Sequence, residues 1–161
     1  MNDLQLTQPP IAKAEMLIRR PVVEVFAAFV DPAITTQFWF TKGSGRLAAD
    51  KQIQWEWEMY GASAQVDVKA FEPNRRLVIE WGSADEPTTT VEWIFTPLGD
   101  NTTFVSITNS GFHGTGDEII QQVVGGAEGF ALVLAGLKAL LEHNIRLNLV
   151  LDRFPAGLQQ G

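Results

Sequence analysis

The sequence contains no cysteine. That excludes disulfides, thiolate metal sites and cysteine nucleophiles together. Histidine is scarce: His113 and His143 are the only two, and they stand far apart. Such a pair makes no ligand cluster, so neither a metal nor a cofactor is expected. Basic residues are few, 12 Lys and Arg against 19 Asp and Glu, for a net charge of −7. Phosphate backbones need a compensating basic surface, so nucleic acid is excluded as a partner. No apolar run reaches about 18 residues, so no membrane span is expected. The start, MNDLQLTQPP, lacks the basic region and apolar run of a signal peptide, and a cytoplasmic location is the expectation. Tyrosine occurs once, against five Trp and ten Phe. Most large side chains therefore lack polar handles, and the interior should be dry and wide.

What is present is organised around residues 117–143. Ile120, Val123, Ala127, Phe130, Leu134, Leu137 and Leu141 recur at alternating steps of three and four, one stripe of a helix. Thr115 and Glu118 have capping-box spacing, and Asp117 adds a favourable charge to the first turn. At 1.5 Å per residue the helix would be about 40 Å long.

Strand-like sequence precedes it. Residues 11–19 read as a first strand. Pro21 suits a helix start, Val22, Val25, Phe26 and Phe29 continue the helical period, and Asp31-Pro32 stops it. Ile34 to Phe40 restart a short helical turn, and Lys42 to Gly45 read as a plain turn. Then Ile53, Trp55, Trp57 and Met59 alternate with Gln52, Gln54, Glu56 and Glu58. Similar alternation follows through Ala64–Ala70, Leu77–Trp81, Val91–Phe95 and Thr103–Asn109. This predicts an α+β fold: an antiparallel sheet of about six to seven strands, curved around the long C-terminal helix, with two short helices after the first strand. Residues 145–154 alternate as a strand or extended segment would, or continue the helix in frayed form.

A curved sheet gripping one helix leaves a seam where the two diverge, and such seams hold apolar pockets. Trp55, Trp57, Trp81 and Trp93 share the inward parity of their strands, and each indole N–H needs a partner if buried. Phe38 and Trp39 are placed to gate the seam. Phe130 faces it from the helix. Asn109, also inward, either orients a ligand's polar end or caps a backbone loop. His113 sits near the expected mouth, with no carboxylate aimed at it. No catalytic group set is recognisable. Gly126 faces inward beside Phe130; it permits a close approach or a kink, or clears space for a ligand. On the helix's outer side Leu132, Ala135 and Ala139 form an apolar strip, suited to self-association or a partner contact.

Four segments together resemble a known family: IRRPVVEVFAAFVDPAITTQFW, VKAFEPNRRLVIEW, VEWIFTPLGDNTTFVSITNSGF and GFALVLAGLKALLE. They are similar to the START-like, helix-grip superfamily (SRPBCC). Within it they resemble the C-terminal domain of the activator of heat-shock protein 90 ATPase. The resemblance covers residues 11–143. Its motifs are V-F-x-A-x-x-D-P at Val25 to Pro32, E-P-x-x-R-L at Glu72 to Leu77, and an aromatic after Gly129; many members have Trp where this chain has Phe130. One START-like domain over 11–155 is expected, with loose tails at 1–10 and 156–161. The resemblance implies a hydrophobic cavity, used among relatives for lipid, polyketide or hormone binding, or a surface for chaperone contact. A hydrophobic small molecule is the expected partner, and chaperone or homodimer contact through Leu132, Ala135 and Ala139 the alternative. An enzyme acting on an apolar substrate is the third reading, with His113 its expected essential group.

Overall fold

A computed structural model describes residues 5–158. The outer parts of both expected tails, 1–4 and 159–161, lie outside the described residues. Seven antiparallel strands form one sheet in the order β1-β7-β6-β5-β4-β3-β2. They are β1 (Ala12–Ile18), β2 (Lys42–Gly43), β3 (Gln52–Trp57), β4 (Ala62–Glu72), β5 (Arg76–Gly82), β6 (Thr89–Pro97) and β7 (Thr103–Ser110). Strands β3 to β7 run as a meander, and β1 closes the far side by pairing Ala12 with Asn109 and Ile18 with Thr103. Lys42–Gly43, expected as a turn, instead pairs with Glu56 and Trp55 as a short edge strand. A bulge between Val68 and Ala70 shifts the parity of β4. Phe71 is thereby brought against Phe26, with ring centroids 5.4 Å apart.

Helix α1 (Val22–Val30) begins after Pro21, which sits just outside the helix as its cap. Helix α2 (Pro32–Thr35) starts earlier than the sequence suggested, because the Asp31 carboxylate accepts the Ala33 amide proton at 3.0 Å. Helix α3 (Gly116–His143) is the long rod, and the Glu118 amide donates to its cap, Thr115, at 3.2 Å. The Glu118 carboxylate meets the Thr115 hydroxyl, 3.1 Å away, so the box is closed through side chains. At the other end, Glu142 accepts from the Arg19 amide and from Lys138, whose ammonium also donates to the Leu17 carbonyl. This clip ties the last turns of α3 to the end of β1. Burial disfavours the Glu142 charge, but the Lys138 and Arg19 bonds outweigh it and hold the carboxyl below its ordinary range.

By length and composition alone α3 would suffice to cross a bilayer, with mean hydropathy 1.6 over 18 residues, a test that a core helix also passes. Its buried face, Phe130, Val133, Leu134, Gly136, Leu137 and Leu140, packs on the sheet. The predicted stripe holds from Phe130 onward. Ile120, at the other end, is exposed. Residues 145–154 are neither a strand nor a continuation of α3. Asn144 ends the helix in the left-handed conformation with φ +53°. A short helix α4 (Leu149–Arg153) then folds back alongside it.

Candidate functional site

The aromatic residues converge as the alternation predicted, and they fill most of the space beneath α3. Trp39 is the centre. It meets Phe29, Phe40, Trp55, Trp57, Trp81, Trp93 and Phe130, with centroid distances from 5.0 to 6.5 Å. Phe40 stacks on Trp55 at 4.6 Å. Phe38 is buried against Phe29, and its backbone and Cβ lie against Gly136. The expected gate residues are therefore a plug within the core.

Space remains at one side. A cavity of about 540 Å³ opens between the N-terminal half of α3, the inner face of the sheet at Trp81 and Asn109, and α4. Of the residues singled out from sequence, Trp39, Trp81, Asn109 and Phe130 line it. Phe38, Trp55, Trp57, Trp93 and His113 do not. Trp55 and Trp93 are buried behind Trp39, and Trp57 is half-buried near the β3 edge. His113 is exposed in the β7–α3 loop, where its backbone carbonyl accepts from Gln122. Leu132 belongs to the wall, and with Ala135 and Ala139 it is half-buried instead of forming an open strip.

The floor is glycine. A Cβ built on Gly125 or Gly129 would meet nothing within 4 Å. Gly126 differs, since its Cβ would fall 3.1 Å from the Ala12 Cβ and 3.7 Å from Asn109 Oδ1. Close approach to β1 explains Gly126. Open space above the helix surrounds the other two.

The far wall was not anticipated. Tyr60 donates its hydroxyl proton to the Val150 carbonyl, and the Leu151 carbonyl lies 3.2 Å away. Arg153 pairs with Glu128 of α3 and lies 4.3 Å over the Phe154 ring. Phe154 in turn meets Tyr60 edge-on at 6.0 Å. These contacts hold α4 across the cavity like a strap. The guanidinium's hydrogen bond keeps the Glu128 carboxyl below its ordinary range. The only tyrosine in the chain was a usable signal for this wall, but its partners are backbone carbonyls 90 residues on, which no local pattern reveals.

Polar groups near the cavity are mostly satisfied internally. Trp81 Nε1 donates to Thr89 Oγ1 at 3.0 Å. Asn109 Nδ2 donates to the same hydroxyl at 3.0 Å and to the Thr90 carbonyl at 2.9 Å. Trp93 Nε1 is sealed without a hydrogen-bond partner among the described residues, enclosed by Trp39, Phe29 and Phe130 rings. Among the described residues no group of three His, Asp or Glu is placed to hold a metal ion.

Residues 19–142 match the family described as Activator of Hsp90 ATPase homolog 1-like protein. Among solved structures, protein SSP2350 from Staphylococcus saprophyticus is 28% identical with a TM-score of 0.72, covering 86% of this chain and 96% of that one. The Aha1 dimer from Colwellia psychrerythraea is 20% identical with a TM-score of 0.69, covering 83% and 97%. DynU16, a protein in the dynemicin biosynthetic locus, is 21% identical with a TM-score of 0.69, covering 84% of this chain and 48% of that one. Nothing among curated proteins matches. On the family match and a helix-grip sheet clasping α3, the chain belongs to the family of Activator of Hsp90 ATPase homolog 1-like proteins.

Proposed function

We propose that this protein binds a hydrophobic, ring-bearing small molecule in the cavity between α3, α4 and the Trp81–Asn109 wall. The observation that carries the reading is an opening of about 540 Å³ walled by Trp39, Tyr60, Trp81, Phe130 and Phe154 and floored by Gly125 and Gly129. Cavities of about 300–1,000 Å³ with apolar walls and few polar groups suit drug-sized ligands. The place of DynU16 in a biosynthetic locus supports a natural-product ligand of this kind. The binding unit is the single domain of residues 11–155, because the strap at 149–154 supplies part of the wall. A cytoplasmic location accompanies this reading.

Pyrene tests it directly. Trp39 and Trp81 lie in the wall, so bound pyrene quenches their fluorescence by energy transfer. Saturable quenching at micromolar pyrene, together with an adduct in the native mass spectrum of the purified protein, is the expected result. Quenching that never saturates, with no adduct, overturns the reading.

A second reading is a chaperone-activator or homodimer contact, centred on the exposed apolar residues near α4, since Leu132, Ala135 and Ala139 are half-buried. The family supports it, as do exposed Val124, Leu151 and Phe154 beside the cavity mouth. An unchanged ATPase rate of a heat-shock protein 90 on addition of this protein would remove it.

A further inference from the structure

We infer that the cavity selects ligands carrying a hydrogen-bond donor, a hydroxyl or N–H on an apolar ring system, and that Asn109 Oδ1 is the acceptor that reads it. The inference rests on the binding reading above and narrows its ligand class.

The amide orientation is fixed by chemistry. The Thr90 carbonyl can only accept, so the group 2.9 Å from it must be the Asn109 NH₂. The second amide proton goes to Thr89 Oγ1. Thr89 accepts there from Trp81 Nε1 as well, which occupies both lone pairs of its hydroxyl. Asn109 therefore cannot turn without breaking two bonds. Its Oδ1 points towards α3 at Gly126, where a built Cβ would lie 3.7 Å from it. Asn109 is 4% exposed, and among the described residues Oδ1 accepts no hydrogen bond. Trp93 Nε1 is the single partnerless side-chain atom sealed from contact among the described residues, so Asn109 Oδ1 keeps an opening, and the cavity is what it borders.

Donors at the wall are already committed. Trp81 and Asn109 give theirs to Thr89 and Thr90, Tyr60 gives its proton to Val150, and Arg153 is paired with Glu128. Gln121 and the remaining guanidinium N–H groups of Arg153 are the exceptions, both at the exposed rim. The deep wall thus offers an acceptor and no free donor. A ligand ending there in a hydroxyl completes the Asn109 amide. One ending in an ether or ketone leaves two acceptors facing each other in an apolar setting, which is unfavourable for both.

The test uses hydroxypyrene, its methyl ether and pyrene as matched probes, titrated into the full chain and into Asn109→Leu. The expected result is that wild type binds hydroxypyrene about fivefold more tightly than the ether, the size of one net hydrogen bond. In Asn109→Leu that ratio falls to near one, whatever the change in the affinity for pyrene itself. Equal binding of all three probes by wild type overturns the acceptor role and leaves the cavity reading standing. A preference that persists in folded Asn109→Leu also overturns it. Binding of none of the three removes the cavity reading and this inference with it. Should Asn109→Leu fail to fold, the wild-type ratio decides alone.

Discussion

Replacing Gly129 by leucine is expected to move stability and binding in opposite directions. The position is an exposed helix interior, and a Cβ there meets nothing within 4 Å. No clash opposes the gain in helix propensity, about 0.8 kcal/mol for leaving glycine. For a domain of this size that raises Tm by about 2–3 °C. The same leucine stands on the cavity floor. If it displaces roughly 80 Å² of ligand contact, at about 25 cal/mol/Å², binding weakens by about 2 kcal/mol, roughly 30-fold. Thermal unfolding without ligand and pyrene titration by tryptophan quenching read the two effects separately. A fall in Tm would mean that Gly129 is packed against something. An unchanged pyrene affinity would mean that the ligand does not lie over this helix.

The neighbouring glycines should respond differently. Gly125→Ala, with open space around it, gains about 1 kcal/mol in urea unfolding. Gly126→Ala gains nothing or loses stability, because its Cβ falls 3.1 Å from the Ala12 Cβ. Tyr60→Phe removes the hydroxyl that holds Val150, about 1 kcal/mol of local stability, so amide exchange over 149–153 quickens about fivefold while the sheet is unchanged. Acidification should loosen the same segment. The Glu128 carboxyl is held below its ordinary range by Arg153, so the pair contributes above that range and its contribution disappears as pH falls through the lowered value. Both partners are over 40% exposed, so the effect is small and is read by exchange at α4, where Glu128→Gln should abolish the pH dependence.

The strand meander was legible because each strand has one wet face, and period-two alternation runs through most of β3 to β7. It lapses twice: Glu58–Tyr60 form a 3-10 turn where Met59 was expected to continue β3, and the bulge between Val68 and Ala70 shifts the parity beyond it. The aromatic convergence was legible for the same reason, since Trp55, Trp81 and Trp93 take their direction from strand parity. Parity says which side a ring faces; it does not say whether another ring already occupies the space. Trp39 does so in front of Trp55 and Trp93, which is why inward-facing indoles proved a poor guide to the cavity wall. The strap was hidden because Leu147, Leu149 and Leu151 alternate as in a strand, whereas the left-handed Asn144 and Asn148 turn the chain into a short helix. Its position depends on Tyr60 and Glu128, both distant in sequence.

The two halves of α3 explain why there is a cavity at all. In the C-terminal half, a Cβ built on Gly136 would lie 3.4 Å from the Phe38 Cβ, so this glycine is packed against the aromatic plug. In the N-terminal half, Gly125 and Gly129 admit nothing, and the helix passes over the sheet with room beneath α4. Helix propensity disfavours all of these glycines alike, by up to about 1 kcal/mol each relative to alanine. Packing against Phe38 offsets that cost at Gly136. No contact among the described residues offsets it at Gly125 or Gly129. An uncompensated cost of this kind, repeated at two exposed positions one turn apart that line the cavity, is what the proposed ligand contact would account for.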